Sequence, residues 1–176
     1  DGAWSRLVPR VADGDDEAET DLRALAKSAG RAEQLAELYV GFAKERPEHD
    51  QQKRRWMDAA RVYEEQLDAT SDALEAVLRA FAVDLDDTEV LDEADRVAEL
   101  GQLWERLGQV YETLIRRAES TPQKVELLLR HAQLLDTRSG DPSAALDQTL
   151  RACSLAPEDD AVLALAEERA PRAGRA

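Results

Sequence analysis

The sequence predicts an all-α fold built from paired helices, and three observations carry that expectation. Apolar residues recur at helical spacing, the chain repeats itself at a distance of 72 residues, and Pro, Gly and capping side chains cut it at regular intervals. Ala, Leu, Glu, Arg and Asp dominate. Ile115 is the only isoleucine, and Val and Thr are scattered rather than gathered in alternating runs, so no strand is expected anywhere.

The repeat is visible without gaps. A shift of 72 positions pairs Glu33 with Glu105, Leu35 with Leu107, Tyr39 with Tyr111 and Ala60 with Ala132. It also pairs Ala73-Leu74 with Ala145-Leu146, Leu78-Arg79-Ala80 with Leu150-Arg151-Ala152, and Val90-Leu91 with Val162-Leu163. Between positions 21 and 98 about 17 of 78 pairs are identical, mostly small or apolar residues at helical spacing.

Punctuation then sets the elements in order. A helix over 17–29 follows the acidic run Asp13 to Glu17 and ends at Gly30, and one over 31–46 is closed by Pro47. Helices over 51–67 and 71–83 complete the first unit. The run Asp84 to Asp87 precedes a helix over 88–100, which breaks at Gly101 before another over 102–118. Thr121-Pro122 opens a helix over 123–138 that Gly140 stops, and Asp141-Pro142 opens one over 142–155 that Pro157 closes. The last helix, over 160–170, follows Glu158 to Asp160. None of the acidic runs has the ligand spacing, central Gly and terminal Glu of a calcium loop, so no metal site is expected. Carboxylates before a helix favour its dipole.

Two helices per roughly 36 residues, with Leu91, Ala94 and Ala98 on one helix, Gly101 at the turn, and Leu107 and Tyr111 on the next, resemble the tetratricopeptide repeat. The partner unit reads Leu128, Ala132 and Leu135, then, after one extra residue at the Gly140 turn, Ala145, Ala152 and Pro157. The copy 72 residues earlier reads Trp56, Ala60, Tyr63, Ala73 and Ala80, with Leu85 in place of the Pro. The stretch "GQLWERLGQVYETL" imitates an opening helix. It is expected to be a closing one, because an opening at Trp104 would put the next in the turn near Arg138 to Pro142.

The resemblance implies four repeats near 16–50, 51–86, 87–121 and 122–158, similar to bacterial arrays that alternate two repeat subtypes. It also implies a right-handed α-solenoid of antiparallel helix pairs, with first helices lining a concave groove. Residues 159–176 then form a terminal capping helix and tail, the helix matching 88–98 at the same offset. Trp56, Trp104, Tyr39, Tyr63 and Tyr111 are expected as core wedges rather than ligand-stacking rings.

The first repeat departs from the pattern, carrying Glu19 and Arg23 where packing residues are expected. Residues 1–15 read either as a remnant helix of a preceding repeat, with Trp4 and Leu7 echoing Trp104 and Leu107, or as a lead-in carrying the protease-site sequence "LVPR". Pro9 is expected to interrupt a helix there. The chain begins without Met, which fits an excised or processed piece.

Composition narrows the function classes. A formal net charge of −15 repels phosphate backbones, so nucleic acid is not expected as a partner. No apolar run approaches the roughly 20 residues that cross a bilayer, so no membrane partner is expected either. Cys153 is the only cysteine, which excludes an intrachain disulfide and is compatible with a reducing compartment; the cytoplasm is favoured.

His49 lies in a turn and His131 on a packing face, with no nucleophile pattern near either. Catalysis and cofactors are therefore not expected. His131 is expected to be a hydrogen-bonded, half-core residue, and Cys153 a small hydrophobe.

Helical geometry places Arg54, Met57 and Arg61 on one groove row, Glu89, Asp92 and Arg96 on the next, and Glu126, Leu129 and Gln133 on a third. One reading has Arg54 and Arg61 paired with Glu89 and Asp92, leaving little affinity for anything. The other has Arg54, Arg61 and Arg96 hold an acidic or C-terminal peptide beside Met57. The Lys and Asn clamp that some family members use on chaperone C-termini is not expected, because the chain has no Asn.

The function expected is a protein-interaction scaffold working through its groove or its end faces, with end-to-end self-association as a further possibility. A regulatory module of a larger signalling enzyme or transcription regulator, and a passive spacer, are the alternatives.

Overall fold

The computed structural model describes residues 2–45 and 48–174, and all regular structure among them is helical. The helices are α1 (Gly2–Ala12), α2 (Asp16–Ala29), α3 (Ala32–Glu45), α4 (His49–Leu67), α5 (Thr70–Phe81), α6 (Thr88–Gly101), α7 (Trp104–Arg117), α8 (Thr121–Leu134), α9 (Pro142–Leu155) and α10 (Asp160–Arg172). The stop expected at Pro47 lies outside the described residues. The helices from α2 to α6 begin at 16, 32, 49, 70 and 88, and those from α6 to α10 at 88, 104, 121, 142 and 160, so every start recurs after 72 residues.

The caps explain this spacing. Asp15 accepts a hydrogen bond from the Ala18 amide, Asp141 from Ala144, and Asp159 from Ala161 and Val162, each satisfying a first-turn N–H that has no partner inside its own helix. Ser120 caps α8 with a full capping box against Gln123, one residue before the Thr121 expected to open it. Gly30 and Gly140, both at φ 63°, provide the left-handed turn that ends α2 and the π-helical segment Leu135–Ser139. That segment follows α8 directly. A π turn holds one more residue than an α turn, and it falls where the repeat carries its one extra residue.

The chain divides into two units, residues 2–101 and 102–174, among the described residues. In the first, α1 packs on α2, α2 on α3, α3 on α4, α4 on α5 and α5 on α6; in the second, α7 packs on α8, α8 on α9 and α9 on α10. Connections of a few residues oblige each helix to fold back on its predecessor. Fully buried alanines (Ala18, Ala26, Ala36, Ala73 and Ala80 in the first unit, Ala132, Ala145 and Ala152 in the second) let backbones approach closely around Tyr39, Leu74 and Phe81, and around Tyr111, Leu127 and Leu128.

Several sequence expectations need correction. Helix α1 runs through Pro9, because near the end of a short helix the proline removes only one intrahelical bond. Trp56, Tyr39 and Tyr111 are buried as expected, but Tyr63 and Trp104 are only half-buried. Trp104 is the first residue of α7, with no preceding turn of its own helix beside it, and the Arg138 guanidinium sits 4.9 Å from its ring centroid. His131 is buried against Tyr111, with ring centroids 5.8 Å apart. Its Nδ1 approaches the Glu112 carboxylate at 3.3 Å without the alignment of a hydrogen bond. No described helix is long and apolar enough to cross a membrane.

Candidate functional site

Long-range polar contacts follow the repeat. Within the first unit, Arg23 donates to Asp58, Arg54 to Asp16, Arg55 to Glu19, Lys53 to Asp87 and Arg96 to Glu64. Within the second, Gln148 donates to Glu112, Arg169 to Gln133 and Arg172 to Asp136. Partners in these pairs are 32 to 38 residues apart, so each links a helix to the one two elements along, or, for Asp87 and Asp136, to the residues at that helix's end.

The strongest cluster lies between α2 and α4. Glu19 and Asp58 are buried, at 5% and 4% exposure, a position that carboxylates occupy only when paired. Arg55, 6% exposed, donates to Glu19 Oε2 at 2.8 Å, Asp58 Oδ2 at 3.1 Å and the Val11 carbonyl at 3.2 Å. Arg23 takes the other oxygens, Glu19 Oε1 at 2.6 Å and Asp58 Oδ1 at 2.7 Å, and its Nε donates to the Tyr39 hydroxyl at 2.9 Å. Burial works against the ionised Glu19, yet the hydrogen bonds from Arg55 and Arg23 outweigh it and hold that carboxyl below its usual range. Burial pushes the Tyr39 phenol up to about 12. The two residues that broke the sequence pattern, Glu19 and Arg23, are therefore packing residues after all, as members of an ion network.

Above this floor opens a cleft of ≈ 480 Å³, lined by Asp16, Glu19, Thr20, Arg23, Arg54, Met57, Asp58 and Arg61. Arg54, Met57 and Arg61 recur along α4 at three- and four-residue steps, which brings them onto one face toward α2. Arg54 reaches across to Asp16 at 3.0 Å and lies 3.7 Å from Glu19. Hydrogen bonding to Asp16 raises the Arg54 pKa further above its ordinary value. Arg61 is exposed and makes no hydrogen bond or ion pair among the described residues. The pairing expected with Glu89 and Asp92 is thus replaced, because the arginine row of α4 turns toward α2 and meets Asp16 first.

The other expected groove residues are exposed or half-buried, with different engagements. Glu89, Asp92 and Arg96 lie exposed on α6. Arg96 is clamped by both oxygens of Glu64, at 3.0 and 2.5 Å, and by Glu93, and these bonds hold the Glu93 carboxyl below its usual range. In the second unit Glu126 accepts from Arg130 at 2.6 Å, Leu129 is half-buried, and Gln133 accepts from the buried Arg169 of α10 at 3.1 Å.

Of the nine residues, then, Arg54, Met57 and Arg61 share one cleft, and Arg96, Glu126 and Gln133 are bonded to neighbours. Asp16, Thr20 and Asp58 complete the cleft; Asp16 stood in the sequence only as part of the acidic run before a helix, and Thr20 and Asp58 carried no pattern that set them apart from an ordinary solvated face. A scan against protein-family models and searches of curated proteins and solved structures found no match to the chain.

Proposed function

We propose that the chain is a non-catalytic protein-interaction scaffold of tetratricopeptide-like helix pairs, stacked within each unit as in a right-handed solenoid, and that the cleft between α2 and α4 receives a peptide segment of its partner. One observation carries the reading: Arg54, Met57 and Arg61 stand accessible in a single cleft whose buried acids are already neutralised by Arg23 and Arg55, so Arg61 keeps its donors for a ligand. The 72-residue recurrence of helix starts supports the repeat reading, as do the polar links between helices two elements apart. A guanidinium pair with a methionine between them suits a peptide carrying charge and one apolar side chain. The net charge of −15 argues against nucleic acid in that place.

The test is recovery of partners from a lysate of the source cells on immobilised wild-type chain and on the Arg54→Glu, Arg61→Glu double variant. The reading expects specific partners to be lost from the variant at unchanged thermal stability. Equal recovery on both proteins overturns it.

A further inference from the structure

The cleft already holds a carboxylate of its own on one arginine. Asp16, the first residue of α2, reaches Arg54 on α4 while 82% of its side chain faces solvent, and Arg54 itself stays 59% exposed. Arg61 lies two turns further along α4, about 10 Å from Arg54 along the helix axis; among the described residues it is hydrogen-bonded to no acid, and only the charge of Glu93, which Arg96 holds, acts on it at longer range. Met57 sits between them, half-buried.

Taking this cleft as the binding site, we infer that Asp16 is a built-in competitor for the partner's acidic group, and that the cleft selects an extended segment presenting two carboxylates on one face. A ligand with a single acid pairs with Arg61 and leaves the Asp16–Arg54 contact standing. A ligand with two acids engages both arginines and returns Asp16 to water. The spacing favours a polyproline-II-like segment, in which residues three apart share a face at about 9 Å. A flat strand offers about 7 or 13 Å instead.

Asp16 is suited to leave. An exposed ion pair is worth little, and the N-terminus of α2 favours its charge even when it is unpaired. Glu19 also lies 3.7 Å from Arg54, but Arg23 and Arg55 hold both oxygens of Glu19 and of Asp58, so these acids are a fixed background to the site and Asp16 is the one that can leave. Asp16 therefore sets a threshold rather than a block.

The experiment uses a fluorescein-labelled peptide with acetyl and amide ends and the core Glu-Leu-Pro-Glu, which has no terminal carboxylate, and a control with Gln at one of the two acidic positions. Anisotropy titrations at low salt compare wild type, Asp16→Asn and the Arg54→Glu, Arg61→Glu double variant. The expected result is a wild-type preference for the two-acid peptide, about two- to fivefold tighter binding of it by Asp16→Asn, and loss of binding by the double variant. Unchanged affinity in Asp16→Asn, with loss in the double variant, overturns the competitor role and leaves the cleft as the binding site. No preference for the second acid overturns the two-carboxylate selection. Binding that survives the double charge reversal, or no binding by any of the three proteins, overturns the inference together with the reading beneath it.

Discussion

Replacing Arg55 by Met tests the ion network that shapes the cleft floor. The substitution keeps the length and apolar stem of the side chain and removes a guanidinium that serves Glu19, Asp58 and the Val11 carbonyl, and that lies 5.6 Å from the Tyr39 ring and 5.8 Å from Phe42. Two buried carboxylates each lose one donor. Breaking a buried ion pair from one side costs about 3–5 kcal/mol, because the remaining charge is left without compensation. Here Arg23 still binds both acids, and Val11 still accepts from the Gly14 amide, so the lower end, about 3 kcal/mol, is expected.

Against a total stability of about 5–15 kcal/mol such a loss shows plainly in urea unfolding, as a lower midpoint at similar slope. Adding Asp58→Asn to Arg55→Met leaves Glu19 and Arg23 as a one-to-one pair, and much of the loss is expected to be recovered. A cost below about 1 kcal/mol for Arg55→Met would refute the reasoning, since that is the worth of an exposed pair.

Two further outcomes follow from the same principles. Burial lowers the His131 pKa from its ordinary 6.5, so the unfolded chain takes up the proton more readily. The corresponding stability is present above pH 6.5 and is lost as pH falls toward the depressed folded value; unfolding free energies between pH 7 and 5 are expected to fall in the wild type and flatten in His131→Phe, which keeps the stack on Tyr111. The carboxyls of Glu19, Asp87 and Glu93 are also depressed, and their contribution disappears only below about pH 4.5, in both proteins. Gly140→Ala meets no atom within 4 Å, so its cost is purely that of the left-handed backbone, about 1–2 kcal/mol; no change in midpoint would contradict the turn geometry.

What the residues announced was the punctuation. Caps and turn glycines act through neighbours three or four positions away, so Asp141-Pro142, Gly30 and Gly140 locate helix ends from sequence alone, and every start recurs at the offset first read from the matched side chains. The clustering of Arg54, Met57 and Arg61 was legible for the same reason, since it depends only on helix period. Their partners were not. Whether Arg54 meets Asp16 or Glu89 depends on how α4 is rotated between its neighbours, which no local pattern encodes. Glu19 and Arg23 did leave a signal, as charges at packing positions, but the balancing charges of Arg55 and Asp58 sit about 35 residues away in a helix with polar side chains on every side. Trp104 misled through its type. A large ring reads as core, yet as the first residue of its helix it is only half-buried, under Arg138.

Occupation of the cleft between α2 and α4 by a partner is the central proposal. Hydrogen–deuterium exchange of the chain, alone and saturated with a partner recovered on it, addresses that directly. Slowed exchange centred on residues 16–23 and 54–61 is the predicted result; unchanged exchange in both segments, with protection elsewhere, would contradict it.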